Sequence, residues 1–226
     1  MIIFKSPLRV SFTGGGTDLN YFFEKTDGHV LSASINKHVY ICLNKKFDEG
    51  YRISCSKLEN VKRLHQIKHK LVKNVLNYYK IKENLEIVSI ADVPGNGTGL
   101  GSSSAFCCSL LAAVNYHLNS KFLEPTQIAE AAYNLEKGKY SNECGKQDQY
   151  SSSHGGLNYF IFKKKNTVEV NKIKLSPFLK KNLEDNLMLI YTGMIHNSTK
   201  NLIEQKKNYN KAKFKVLMQL SELSRI

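Results

Sequence analysis

The segment "PGNGTGLGSSSA", Pro94 to Ala105, constrains the fold of this chain more than any other stretch. It follows "LEIVSIAD", a pattern typical of a buried strand, and it leads directly into the apolar, helix-like run "FCCSLLAAV". Glycine occupies every second position from Gly95 to Gly101, and three serines follow. Glycines let backbone N–H groups approach a ligand closely, and a helix N-terminus adds unpaired donors. The sequence therefore predicts a phosphate-binding loop that enters a helix.

Two common glycine-rich motifs do not fit this loop. A Walker A loop ends in a lysine followed by serine or threonine, whereas here Ser102 follows the last glycine with no lysine nearby. A dinucleotide fingerprint counted from Gly97 and Gly99 places Ser102 where the third glycine belongs. A serine hydroxyl suits either a helix cap or a metal ion held on phosphates. A plain loop before a capped helix stays open as the alternative.

The rest of the chain predicts alternating strands and helices. The segments "PLRVSF", "HVLSASINKHVYICLNKKF" and "YRISCS" predict a β-rich beginning, and apolar spacing predicts a helix within Val61 to Tyr79. Further helices are expected over Ser103 to Leu118 and Pro125 to Lys137, followed by the strands "GGLNYFIF" and "TVEVNKIKL". A boundary between Ser176 and Asn186 precedes "NLMLIYTG" and a block of Lys-rich helices.

Composition narrows the class of protein. With 42% hydrophobic and 23% charged residues the chain is globular, and no segment approaches the roughly 18 to 20 apolar residues of a membrane span. The N-terminus lacks a signal-peptide pattern, so we expect a cytoplasmic protein with no membrane partner. Its five cysteines form no CxxC pair, which favours reduced thiols. The formal charge of +14 attracts anions, but scattered lysines without a known motif favour a solvated surface over nucleic-acid binding.

Three motifs together resemble the GHMP superfamily of small-molecule kinases, which is named for galactokinase, homoserine kinase, mevalonate kinase and phosphomevalonate kinase. The glycine run is similar to the family's phosphate-binding signature, and "KSPLRVSFTGGGTDL" is similar to its sugar-binding opening motif. The third, "LEKGKYSNECGKQDQYSSSHGGLNYF", resembles the segment that carries the metal ligand and the catalytic aspartate. The residues of these motifs are similar to those of the branch that phosphorylates D-glycero-D-manno-heptose 7-phosphate, although Lys5 stands where that branch more often has arginine.

The resemblance implies a role for each matching residue. Asp148 would accept the proton of the attacking hydroxyl, and Arg9 would stabilise charge on the transferring phosphate. Glu136 and Ser103, or less readily Ser102, would hold Mg²⁺. The expected ATP-binding residues are Pro94, Gly97, Gly99, Leu100, Gly101, Ser102, Ser103 and Ser104. The expected substrate-binding residues are Lys5, Arg9, Gly14, Gly15, Gly16, Thr17, Asp18, Asp148, Gln149 and Gly156.

The resemblance also implies a fold and a reaction. We expect an α+β, two-domain GHMP-kinase-like fold, whose N-terminal domain (1–180) has the topology of ribosomal protein S5 domain 2 and whose C-terminal domain (181–226) is incomplete. The expected reaction moves the γ-phosphoryl group of ATP to the anomeric C1 hydroxyl of the heptose 7-phosphate, giving the 1,7-bisphosphate for activated-heptose synthesis. Another sugar kinase of the family, such as a fucokinase or galactokinase, and a non-catalytic basic binding protein of the same fold are the alternatives.

Overall fold

A computed structural model describes residues 1–94, 97–139, 144–193 and 209–225. Within these residues the strands form one seven-stranded sheet around a long central strand, β2. The strands are β1 (Ile2–Thr13), β2 (Gly28–Lys45), β3 (Tyr51–Ser54), β4 (Leu58–Val61), β5 (Leu85–Ala91), β6 (Leu157–Phe162) and β7 (Val168–Ile173).

The central strand has different neighbours along its length. β1 pairs with β2 in antiparallel register, with shifts between Pro7 and Arg9 and between Ser11 and Thr13. The first part of β2 pairs with β6 and the last part with β5, and the sheet order is β4-β3-β5-β2-β6-β7. Every pairing is antiparallel except that of β3 with β5. This topology brings the end of β1 close to the loop that follows β5, where Arg9 N–H donates to the carbonyl of Leu100.

Seven α-helices and one short 3-10 helix, Leu64–Gln66, complete the described chain. The α-helices are α1 (Asn20–Phe23), α2 (Lys70–Tyr78), α3 (Ser102–Asn119), α4 (Pro125–Lys139), α5 (Gln147–His154), α6 (Pro177–Asp185) and α7 (Lys211–Leu223). The main core lies between the sheet and α2, α3 and α4. Every residue of α3 from Ser104 to Asn115 is buried, which explains why its sequence is apolar on all sides. None of the described helices has the length and apolar character needed to cross a membrane.

The α+β class predicted from the sequence is confirmed, but two local predictions were wrong or incomplete. The helix expected within Val61 to Tyr79 begins only at Lys70, because Val61 pairs with Tyr51 in β4 and the ring of His69 accepts the N–H of Val72 as a helix cap. His69 therefore acts as a cap, and the described residues hold no group of three or more His, Cys, Asp or Glu side chains that could bind a metal ion. Helix α5 was not predicted, since "QDQYSSSH" lacks apolar periodicity.

The last described helix packs against the beginning of the chain. Phe214 lies 5.4 Å from Phe22 between ring centroids, and the hydroxyl of Thr13 donates to the carbonyl of Leu220 at 3.4 Å. Leu217 is buried against Gly16. The segment 187–191 is exposed and belongs to no strand, while 194–208 of the predicted Lys-rich block lies outside the described residues. The predicted boundary near residue 180 stays a prediction.

Candidate active site

The glycine loop ends in a left-handed turn at the start of α3. Gly97, Gly99 and Gly101 have φ angles of 74°, 70° and 76°, which explains the alternating glycines because other residues rarely adopt this conformation. Gly101 is the N-cap residue of α3, and no side chain caps the helix there. The three serines that follow form the first turn of α3. Backbone N–H groups at this helix end suit an anion. Gly95 and Asn96 of the same run lie outside the described residues.

Arg9 joins all three sequence motifs. Its Nε and Nη2 atoms lie 2.8 and 2.6 Å from Oδ1 of Asp148, and its Nη1 donates to the carbonyl of Gly99 at 2.6 Å. The other carboxylate oxygen of Asp148, Oδ2, faces Gly101, where a Cβ atom would meet it at 3.5 Å. One guanidinium from β1 therefore fixes the glycine loop and the α5 aspartate beside each other.

Glu136 forms a second cluster beneath the first turn of α3. Its two carboxylate oxygens accept the hydroxyls of Ser103 and Ser104 at 2.8 and 2.7 Å. The side-chain amide of Gln149 donates to the same carboxylate at 2.6 Å. Glu136 is 1% exposed, and this burial raises its pKa above the usual glutamate value. The Ser102 hydroxyl lies instead 3.2 Å from that of Thr98.

The sugar-motif side chains Thr17 and Asp18 both point inward. The Thr17 hydroxyl donates to the carbonyl of Gly14 at 2.8 Å and accepts the N–H of His29 at 3.0 Å. Asp18 is 2% exposed and accepts the N–H groups of Gly16 and Gln147. Its burial raises the pKa of its carboxyl group, against the lowering by those hydrogen bonds. Within the triple-glycine loop, Gly14 is buried against the carbonyl of His29 and Gly16 lies against Leu217, whereas Gly15 is half-buried with only ordinary contacts.

Most of the predicted site residues therefore fall into three groups. Arg9, Gly99, Leu100, Gly101 and Asp148 meet in one cluster, and Ser103, Ser104, Glu136 and Gln149 meet in a second. Thr17 and Asp18 form the third group: the Thr17 hydroxyl donates to the carbonyl of Gly14, and the Asp18 carboxylate accepts the N–H of Gln147. Within the described residues, Lys5, Pro94 and Gly156 share no hydrogen bond or ion pair with either cluster: Lys5 is exposed on β1, and the carbonyl of Gly156 accepts the N–H of Ser34.

A buried ionic group beside the site was missed by the sequence reasoning. Lys146 is fully buried, and its ammonium group donates to the Glu130 carboxylate at 2.9 Å and to the carbonyl of Asn166 at 3.1 Å. The hydroxyl of Tyr150 donates to the same oxygen of Glu130. This cluster holds α4, α5 and the β6–β7 loop together. No sequence pattern indicated this cluster, because lysine and glutamate usually lie on the surface and a lysine is almost never fully buried unless it is paired.

Comparisons with known proteins relate part of this chain to a kinase family. Residues 65–156 match the family model described as GHMP kinases N terminal domain. The chain is 30% identical, over 90% of its length, to the D-glycero-alpha-D-manno-heptose 7-phosphate kinase of Campylobacter jejuni, and it spans 62% of that protein. The similarity to this relative extends beyond residues 65–156 and covers most of this chain. The chain itself spans less than two thirds of the relative's length.

Two solved structures resemble the fold of this chain. A D-glycero-D-manno-heptose 1-phosphate kinase from Bacteroides thetaiotaomicron superposes with a TM-score of 0.77 and 25% identity, over 92% of this chain and 72% of that one. A putative sugar kinase from Campylobacter jejuni superposes with a TM-score of 0.72 and 25% identity, over 98% of this chain and 76% of that one. The fold is thus that of the GHMP kinases.

Proposed function

We propose that this chain acts in an ATP-dependent sugar-phosphate kinase, because residues 65–156 match the family model of GHMP kinase N-terminal domains. The proposed reaction transfers the γ-phosphoryl group of ATP to the anomeric C1 hydroxyl of D-glycero-D-manno-heptose 7-phosphate and gives the 1,7-bisphosphate. The name of the Campylobacter relative supports a heptose 7-phosphate acceptor. The observation that carries the proposal is the contact of Arg9 with both the glycine loop and Asp148.

The glycine loop and the first turn of α3 are proposed to bind the ATP phosphates. Left-handed glycines before a helix start that has no side-chain cap are an arrangement that phosphate binding commonly uses. Pro94 and Leu100 would frame this loop. Arg9 lies next to it and would stabilise the negative charge of the transferring group, because a fixed cation needs no reorganisation during the reaction.

The Glu136 cluster has the donor set for Mg²⁺. Carboxylate and hydroxyl oxygens are the ligands that this ion prefers, and Ser103 and Glu136 already lie within 2.8 Å of each other. The raised pKa of Glu136 marks a buried carboxylate that a cation would stabilise in its charged form. When bound, Mg²⁺ would neutralise phosphate charge. Ser103 and Glu136 are the proposed ligands, with Ser104 and Gln149 orienting the carboxylate.

Asp148 is the proposed general base. Arg9 holds its Oδ1, so the second oxygen, which faces Gly101, is placed toward the phosphate loop and can accept the proton of a hydroxyl there. The acceptor sugar would approach the triple-glycine loop at Gly15, because His29 and Leu217 fill the space beside Gly14 and Gly16. Lys5 and the many other lysines offer cations for a phosphate remote from the reacting hydroxyl, and such remote binding energy positions the reacting end.

ADP release over a panel of free sugars and sugar phosphates tests this proposal. We expect turnover with heptose 7-phosphate to exceed turnover with the free heptose, fucose and galactose, and we expect ³¹P NMR to show a new anomeric phosphate. Equal use of heptose and heptose 7-phosphate, or a preference for fucose or galactose, would assign the chain to another sugar kinase. Absence of Mg-ATP binding by calorimetry, together with tight salt-sensitive binding of nucleic acid, would support the basic binding protein instead.

A further inference from the structure

The side-chain amide of Gln147, the first residue of α5, is a polar group that the proposed mechanism does not use. Its Oε1 is enclosed and accepts no hydrogen bond from the residues that the structure describes. Its Nε2 likewise donates no hydrogen bond to any described residue. An enclosed amide oxygen without a donor is unfavourable, and native proteins contain few of them. This amide is therefore a candidate for binding a ligand group.

The amide lies beside Gly15, in the middle of the triple-glycine loop. A Cβ atom at Gly15 would lie 3.5 Å from Oγ of Ser11 and 3.7 Å from Nε2 of Gln147, which are ordinary van der Waals distances. Ser11 is exposed on β1, and its hydroxyl has no hydrogen-bond partner in the described part of the chain. Two unpaired polar groups thus meet beside a glycine whose missing side chain leaves room for a ligand atom.

Both groups are neighbours of the proposed catalytic pair, Arg9 and Asp148. Asp148 directly follows Gln147 in α5. The pairing of β1 with β2 is regular from Arg9 to Ser11, so these two side chains share one face of the strand. Arg9 contacts Asp148, and two positions further along β1 Ser11 meets Gln147 at Gly15. The two unpaired groups therefore extend the proposed catalytic site toward the triple-glycine loop.

The charges around Gln147 favour a neutral ligand group. The carboxylate of Asp18 accepts the backbone N–H of Gln147 at 3.0 Å, and Asp148 is the next residue. Two ionised carboxylates beside the single guanidinium of Arg9 leave a net negative charge, which disfavours a phosphate here. The amide of Gln147 and the hydroxyl of Ser11 are uncharged, and each can both donate and accept hydrogen bonds. This chemistry fits the hydroxyl groups of a sugar.

We propose that Gln147 and Ser11 form a subsite at Gly15 that binds hydroxyl groups of the acceptor sugar, and that the amide of Gln147 selects the acceptor by their arrangement. The inference rests on the proposed function, because it places the acceptor on this side of Asp148. Rotation about the last torsion of Gln147 exchanges its oxygen and nitrogen, so a hydroxyl can pair with either end. An acceptor without the matching hydroxyl leaves the amide unpaired and binds less tightly.

Gln147→Met tests the subsite in steady-state ADP release, because methionine has a similar length but no strong hydrogen-bonding group. We expect KM for heptose 7-phosphate to rise about three- to tenfold, while kcat and the Kd of Mg-ATP stay within about twofold. An acceptor that lacks the hydroxyl bound by Gln147 should be used equally well by the variant and the wild type. Gln127→Met is the matched control, since Gln127 also lies in the first turn of a helix, α4, but is exposed. Unchanged KM and unchanged discrimination among deoxy acceptors in a folded Gln147→Met variant would overturn the inference.

Gly15→Ala tests the same subsite from the glycine loop. The added Cβ would make only ordinary contacts with Ser11 and Gln147, so the fold accommodates it, but it would occupy space proposed for the sugar. We expect KM for the acceptor to rise about tenfold, while Tm and the Kd of Mg-ATP stay unchanged. A purely structural role of this contact would lower Tm instead. A wild-type KM in Gly15→Ala would contradict the subsite.

A titration of the wild-type protein covers the case in which Gln147→Met does not fold. With heptose 7-phosphate as the probe, NMR of ¹⁵N-labelled protein should show shifts of the Gln147 side-chain NH₂ and of the Gly15 amide, whereas the side-chain NH₂ of Gln127 stays in place. Absence of any shift at Gln147 with every sugar of the panel would overturn the inference. If heptose 7-phosphate shifts the Gln147 signal but is not phosphorylated, the proposed function fails and the subsite stands.

Discussion

Replacement of Arg9 by lysine tests the contact that joins the three motifs. Arg9 is mostly buried, with 12% of its side chain exposed, and it donates three hydrogen bonds to Asp148 and Gly99. Lysine keeps the charge but cannot reproduce the planar fork, so it satisfies only one of these partners. Two hydrogen bonds to charged or buried groups are lost, at about 1.5–3 kcal/mol each.

Solvent at Asp148 reduces the free-energy cost of losing these hydrogen bonds, because 29% of that side chain is exposed. We therefore expect a loss of roughly 2–3 kcal/mol of transition-state stabilisation, which corresponds to about a 30- to 160-fold lower kcat/KM. Arg52→Lys is the matched control, since Arg52 is 53% exposed and pairs loosely with Glu86 at 3.5 Å on the sheet. Steady-state ADP release, with thermal unfolding to verify folding, gives the comparison. A folded Arg9→Lys variant with wild-type kcat/KM would refute the reasoning.

Three further predictions concern packing and pH. Gly145→Ala should lower Tm by several degrees through overlap with Asp18, at a cost of about 1–3 kcal/mol, whereas Gly15→Ala, with only ordinary contacts, should change Tm little; equal Tm values would contradict this. Leu217→Ala should speed hydrogen exchange in the triple-glycine loop, which α7 covers, and unchanged exchange would show that α7 gives no support there. Burial lowers the pKa of His154, so the unfolded state takes up its proton first and the free energy of unfolding should fall as pH drops below about 6.5. Chemical denaturation at pH 7.5 and 5.5 should show a smaller loss for His154→Gln than for the wild type, and an equal loss would contradict the assignment.

The phosphate loop was the part of the site most open to sequence reasoning. Its signal is local: a strand, alternating glycines and a helix follow one another along the chain, and the left-handed φ angles account for each glycine after Asn96. The sheet and the buried helix α3 were predicted for the same reason, because their apolar patterns differ clearly from those of their neighbours.

The contacts that complete the site were beyond such reasoning. The pairing of Arg9 with Asp148 spans 139 positions of the chain, and no local pattern specifies it. The inward direction of Asp18 and the burial of Lys146 depend on which faces the folded elements present to each other. Helix α5 itself forms from a polar sequence, since its N-terminus is held by tertiary contacts to Asp18 and Glu130. Tertiary context decides such cases over local propensity.

The most direct test of the proposed phosphoryl-transfer site is the Asp148→Asn variant, measured for both kcat and the Kd of Mg-ATP. Asparagine keeps the size and one acceptor oxygen beside Arg9 but removes the proton acceptor and the negative charge. Since general-base assistance acts mainly in the transition state, kcat with heptose 7-phosphate should fall by roughly 10² to 10⁴ while the Kd of Mg-ATP changes little. Wild-type kcat together with an unchanged Kd in a folded Asp148→Asn variant would contradict the account.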